Sequence, residues 1–116
     1  MMLRGEIRLT DLAPARPGEA DKRRPAIIVS NDRANATAAR LGRGVITVVP
    51  VTSNTTRVFP FQVLLPAEET GLRVDSKAQA EQVRSVSIER IGPVIGHLHT
   101  HLVRVLDDAL RLHLQL

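Results

Sequence analysis

At 116 residues, 43% of them hydrophobic, the chain is long enough for one domain with its own core and too apolar for an intrinsically disordered segment. Its 16 Lys and Arg outnumber its 12 Asp and Glu, giving a net charge of +4 and a pI of about 11.0, which favours a polyanionic partner such as nucleic acid or an acidic protein. Cysteine is absent, which excludes disulfides and thiolate chemistry, and with no Trp or Tyr and only 2 Phe, a surface that stacks bases on aromatic rings is hard to build.

Residues 5–12, GEIRLTDL, set Ile7 and Leu9 against Glu6, Arg8 and Thr10, the alternation of a half-buried strand. Residues 13–24, APARPGEADKRR, combine prolines, a glycine and many charges and read as a long mobile loop. PAIIVS, residues 25–30, is a nearly continuous apolar run, as expected of a buried strand. NDRANATAARLG, residues 31–42, has Asn31 or Asp32 as a cap, an alanine-rich body and Gly42 as a stop, so a short helix is predicted. GVITVVPVT, residues 44–52, is a second central strand in which Pro50 marks a bend or an edge. SNTTRV, residues 53–58, is a polar loop. FPFQVLL, residues 59–65, is a strand ended by Pro66, and PAEETGL is a turn centred near Gly71.

Residues 73–88 read as extended. Ala78 and Ala80 alternate with Lys77, Gln79 and Glu81, and the alternation slips near Gln82 and Val83, the mark of a bulge or a change of strand. IGPVIGHL, residues 91–98, is a short last strand. From Thr100, a plausible cap, Leu102, Val105, Leu106, Ala109 and Leu110 recur at helical spacing. The expected fold is mainly β (α+β): five to seven short strands curled as a small barrel or strongly bent sheet, with short helices, in a single domain over residues 1–116. No apolar run approaches a membrane span and no secretory h-region opens the chain, so the cytoplasm is the expected compartment.

The seam at KRRPAIIVSN, residues 22–31, sets three cations directly against a proline and a buried strand. Several motifs around it bear comparison with a known family. GEIRLTDL is similar to the opening G-[DE]-[IV] strand of the MazF/PemK toxin endoribonucleases. PGEADKRRPAIIVSN resembles their loop ending in [KHR]-R-P, VVPVTSN their P-x-T-[ST] strand end, FPFQVLL their [YF]-P-[FYV]-x-V-x-L strand, and AEQVRS their [DE]-Q-[IVP]-[RK]-[ST] segment. Each motif is weak alone; five in order, running almost end to end, make a specific resemblance.

The resemblance implies a compact SH3-like barrel, a homodimer, cleavage of single-stranded RNA without metal or other cofactor, and an acidic antitoxin as partner. It puts the catalytic arginine at Arg24, the catalytic threonine at Thr52, the loop glutamate at Glu19 and the acidic residue before Gln-x-Arg at Glu81. Expected RNA contacts are Lys22 and Arg23; Ser53, Asn54 and Arg57; and Lys77, Gln79, Gln82 and Arg84. The chain departs from the family at Arg8, where Trp or Tyr is usual.

The residue types suit that chemistry. In metal-free RNA cleavage the ribose 2′-hydroxyl attacks its own phosphate, giving a 2′,3′-cyclic phosphate and a 5′-hydroxyl. Arg24 stays cationic and can hold two phosphate oxygens in a fork, and Pro25 restricts it to extended backbone ahead of a rigid strand. Thr52 and Ser53 offer hydroxyl donors, and either Glu19 or Glu81 is able to accept the nucleophile's proton.

Plainer readings stand beside these. Arg24 alone would be a solvated loop cation, Thr52 a strand end, Glu81 and Arg84 a surface ion pair, and Lys77, Gln79 and Glu81 the wet face of a sheet. His97, His99 and His101 would share one face of a strand, but the switch to helix breaks that geometry, so surface histidines and no metal site are expected. Two rival functions remain: a non-catalytic toxin with the same barrel that inhibits DNA gyrase, which has no need of a phosphate clamp, and an SH3-like interaction module, which the scarcity of aromatics disfavours.

Overall fold

The computed structural model describes residues 2–12 and 23–116. Among them the order is β1 (Glu6–Asp11), β2 (Arg23–Ile28), α1 (Asp32–Leu41), β3 (Val45–Thr52), β4 (Gln62–Leu65), the one-turn α2 (Ala67–Thr70), β5 (Ser76–Gln79), β6 (Arg84–Ser87), β7 (Ile91–His97) and α3 (Thr100–Leu114). Short 3-10 turns at Ala80–Gln82 and Ile88–Arg90 flank β6. The strands form one antiparallel sheet in the order β4-β5-β3-β2-β1-β7, with β6 also paired to β3.

The apolar run of β2 is unbroken because both faces of the sheet are covered. Ala26 and Ile28 pack with Ile46, Val48, Val86 and Ala38 of α1. Ile27 packs on the other side with Ile7, Val49, Val51 and the α3 residues Leu102, Leu106 and Ala109. Each fully buried Ile or Leu in this core contributes roughly 2 kcal/mol. Val105 falls off the buried stripe of α3 and is exposed, contrary to the helical pattern expected of it.

β3 is the hinge of the sheet. Val45–Val48 pair with β6, whereas Val51 and Thr52 pair with β5. Pro50 sits at the change of partner, so it marks a bend, as its lack of an N–H requires, but in an interior strand. β5 and β6 lie along the same side of β3, and the slip near Gln82 and Val83 is the 3-10 turn between them.

Several boundaries differ from expectation. β2 begins at Arg23, so Arg23 and Arg24 belong to a strand; the rest of the expected loop, with Glu19 and Lys22, lies outside the described residues. FPFQVLL is a strand only from Gln62. Phe59 to Gln62 is a turn, in which the Gln62 amide donates to the Phe59 carbonyl (2.8 Å) and the Gln62 side chain accepts from the Phe59 amide (3.1 Å). α1 has the expected ends, an Asn31 side chain accepting from the Ala34 amide at 2.8 Å and Gly42 at φ 66°. α3 is capped by His99 without a side-chain bond, and Thr100 is its first residue. None of the helices is long and apolar enough to cross a membrane among the described residues.

Two glycines place the segment that follows α2. Gly71 ends the helix at φ 85°, a left-handed conformation that costs glycine little. Gly96 of β7 lies beneath it, and a Cβ there would stand 2.4 Å from the Thr70 carbonyl oxygen. The pair lets residues 71–74 press across the sheet. Gly96→Ala is therefore expected to destabilise the protein by about 1–3 kcal/mol, because backbone rather than a flexible side chain must move. Urea unfolding measures this; an unchanged midpoint would contradict the close approach.

Candidate nucleic-acid interface

The ladder between β2 and β3 runs Ile28↔Val48, Ile27↔Val49 and Ala26↔Pro50, and stops. Pro25, the next β2 residue facing β3, has no N–H to give. Continuing the register two residues would set Arg24 opposite Thr52. Instead the strands part, and both residues line a cleft of about 530 Å³. Each keeps its other neighbour: Arg24 pairs with Thr10 of β1, and Thr52 with Lys77 of β5.

The lining of the cleft is mostly apolar and carries two arginines. Leu9, Val51 and Ile95 line it together with Arg24, and residues 71–74 add Leu72, Arg73 and Val74. No carboxylate lines it among the described residues. Arg24 is exposed and lines the cleft, and no other described side chain forms an ion pair with it. The Thr52 hydroxyl oxygen accepts from the Asn54 amide at 3.2 Å, which leaves its proton to give away. Ser53 is exposed at the same rim.

The loop after Thr52 is held by its own bonds. The Thr56 amide donates to Asn54 Oδ1 at 3.2 Å, and Lys77 Nζ donates to the Arg57 carbonyl at 2.5 Å. Lys77 is 8% exposed, which corrects the wet-face reading: its ammonium is turned beneath the loop. Asn54 and Arg57 are exposed on the loop itself.

The remaining predicted residues among those described do not line the cleft. The Glu81 carboxylate accepts from Gln62 Nε2 at 2.8 Å, and its other oxygen is buried without a partner among the described residues. Gln79 pairs with Gln62 across β4 and β5, and Gln82 is exposed on the 3-10 turn. Arg84 donates to the Leu12 carbonyl at 3.4 Å, so the Glu81–Arg84 ion pair weighed from the sequence is not made. Arg23 stands opposite Asp11 in the β1–β2 register. Arg8, in place of the family's aromatic residue, is satisfied by Glu6 Oε1 (2.9 Å) and the Gly92 carbonyl (3.1 Å). The histidines are exposed: the His97 and His99 rings meet edge-on at 4.8 Å, and His101 lies 2.9 Å from Glu69.

Arg73 and its apolar neighbours are the cleft residues that sequence reasoning missed. Their segment, TGLRVDS, spans the junction of an expected turn and an expected extended stretch, and the long-range approach of Thr70 to Gly96 places it at the cleft.

Comparison with known proteins identifies the family and the fold. The family described as PemK-like, MazF-like toxin of type II toxin-antitoxin system matches residues 3–114. Endoribonuclease MazF9 of Mycobacterium tuberculosis is 64% identical over 116 residues, covering 100% of this chain and 98% of that one. Endoribonuclease EndoA of Bacillus subtilis is 29% identical over 114 residues, covering 97% and 94%. Among solved structures, the M. tuberculosis toxin MazF-mt6 superposes with a TM-score of 0.74 at 22% identity, covering 96% of this chain and 97% of that one. A mycobacterial endoribonuclease in complex with its cognate antitoxin gives 0.76 at 22% identity, covering 100% and 97%. With a family match over nearly its whole length and a relative 64% identical end to end, the chain belongs to the PemK-like, MazF-like toxins of type II toxin–antitoxin systems.

Proposed function

We propose that this toxin is an endoribonuclease that cleaves single-stranded RNA in the cytoplasm at selected sequences, without a metal ion. The observation that carries the reading is the meeting of Arg24 and Thr52 in one cleft, each with donors left for a ligand. A phosphate there accepts a bidentate guanidinium from Arg24 and a hydroxyl hydrogen bond from Thr52. The 2′-oxygen attacks phosphorus as its proton passes to a base, the bond to the 5′-oxygen breaks as that oxygen takes up a proton from water or from the protonated base, and the products are a 2′,3′-cyclic phosphate and a 5′-hydroxyl. Charge growing on the non-bridging oxygens meets donors already aimed at it, so little reorganisation is needed during reaction.

The attacking hydroxyl must also lose a proton. Glu81 is engaged by Gln62 away from the cleft, which favours Glu19 as the acceptor. Glu81 then serves to hold the Phe59–Gln62 turn.

The same surface suits an acidic antitoxin. A segment that lays carboxylates against Arg24 and Arg73 and apolar side chains against Leu72 and Val74 would occupy the place of RNA. RNA and antitoxin then compete, and both bind less tightly as salt rises. A homodimer fits the C-terminal end of α3, where Leu112, Leu114 and Leu116 are exposed while the earlier turns are used by the core.

Cleavage of mixed RNA in EDTA is the direct test; intact RNA would leave the gyrase inhibitor or the interaction module standing. Arg24→Ala and Thr52→Ala are each expected to lower kcat about a hundredfold or more with the fold intact by circular dichroism, while Thr52→Ser retains much of the rate. Wild-type rates in folded Arg24→Ala would remove the cleft from the chemistry. For the proton acceptor, Glu19→Gln is expected to slow cleavage by about 10²–10⁴ and Glu81→Gln to leave kcat near wild type while lowering the unfolding midpoint. The reverse pattern would return the role to Glu81.

A further inference from the structure

Arg57 is exposed, yet it is held at both its backbone and its tip. Both ends of the loop that carries it are tied to one rung of the sheet, Thr52↔Lys77. At the near end the Asn54 amide bonds to the Thr52 hydroxyl; at the far end Lys77 Nζ takes the Arg57 carbonyl at 2.5 Å. Lysine is seldom buried, and Lys77 is 8% exposed, with a backbone carbonyl of the loop as its recorded hydrogen-bond acceptor. A role confined to filling the interior would be served by an apolar side chain without the cost of burying an ammonium.

The tip is held by the two aromatic residues of the chain. The Arg57 guanidinium carbon lies 5.5 Å from the centroid of the Phe59 ring. Phe59 stacks on Phe61 with centroids 5.4 Å apart and planes 2° from parallel, and Phe61 in turn meets His113 of α3 at 6.3 Å. An exposed arginine ordinarily samples many rotamers and loses that freedom on binding. Here the backbone strap and the aromatic column have already confined it, at a position five residues beyond Thr52.

We infer that Lys77 and Phe59 are positioning residues that hold Arg57 as a second phosphate-binding cation, which grips a phosphate flanking the scissile one and so fixes which nucleotide step reaches Thr52. The inference rests on the reading of the cleft as an RNA site. It gives Lys77 a role different from direct contact: its charge acts through the Arg57 carbonyl. A pre-set cation binds with less ordering cost than a free one, so the effect falls on binding and on choice of site more than on the chemical step.

The test is a double-mutant cycle on the affinity for a single-stranded oligonucleotide with 2′-deoxyribose at the scissile position, so that binding is read apart from cleavage. Arg57→Ala is expected to weaken binding about tenfold and to lower the salt slope by about one. Lys77→Met keeps the stem and removes the ammonium; it should weaken binding about as much in wild type and hardly at all once Arg57 is Ala, while Lys77→Arg recovers most of the loss. Phe59→Leu changes only the partly exposed column and should show the same dependence on Arg57, which covers the case in which Lys77→Met does not fold. On cleavable RNA, Lys77→Met should raise KM with kcat little changed and broaden the set of sites cut. Losses that multiply in the double variants, or a wild type that does not bind the oligonucleotide, would overturn the inference. A wild type that binds with the coupled pattern but does not cleave would sink the catalytic reading alone.

Discussion

The geometry of the cleft depends on where a hydrogen-bond ladder is made to stop. β2 and β3 are zipped from Ile28↔Val48 to Ala26↔Pro50, and Pro25, whose position faces β3, then denies the ladder the next donor it would need from β2. The strands part at the positions where Arg24 and Thr52 would have faced each other as an ordinary cross-strand pair. Closed, the pair would be a polar contact at a strand end. Opened, it becomes two walls of a cleft with donors on each. The constraint is covalent and local, so it needs no ligand to impose it.

What makes the opening rigid is the core immediately behind it. Ala26, Ile27, Val49 and Val51 are 0–2% exposed, and both sheet faces are covered, one by α1 and the other by α3. A guanidinium mounted on a floppy loop must be ordered during reaction; one mounted two residues from a closed ladder need not be. The same economy recurs at Thr52, whose hydroxyl is turned by Asn54, and at the loop that Lys77 ties down. The loop from Ser53 to Val58 reads from its composition only as polar, and it is closed by a succession of short polar bonds.

Periodicity made much of this legible in advance. The run at Ala26–Val29 declared a strand covered on both faces, Asn31 and Gly42 bounded α1, and the slip near Gln82 marked the 3-10 turn. Arg24 and Thr52 were found by motif, with Pro25 supplying a physical reason. Features set by distant contacts stayed hidden. Arg73 enters the cleft only because Thr70 reaches Gly96; Glu81 leaves it because Gln62 captures the carboxylate; Lys77 looks like a solvent-facing residue until the loop folds over it. Val105 shows the same limit on a helix, where the spacing is right and the packing partner is missing.

In the proposed reaction the cleft uses the substrate's own 2′-hydroxyl under an arginine and a threonine. This is tested most directly with a mapped cleavage site in a short RNA, made either all-ribose or with a single 2′-deoxy substitution at the nucleotide before the cut, both incubated with the protein in EDTA. The all-ribose strand is expected to yield a 2′,3′-cyclic phosphate and a 5′-hydroxyl by mass spectrometry, and the substituted strand to stay intact at that site while still binding. Cleavage of the substituted strand, or ends bearing a 5′-phosphate and a 3′-hydroxyl, would contradict it.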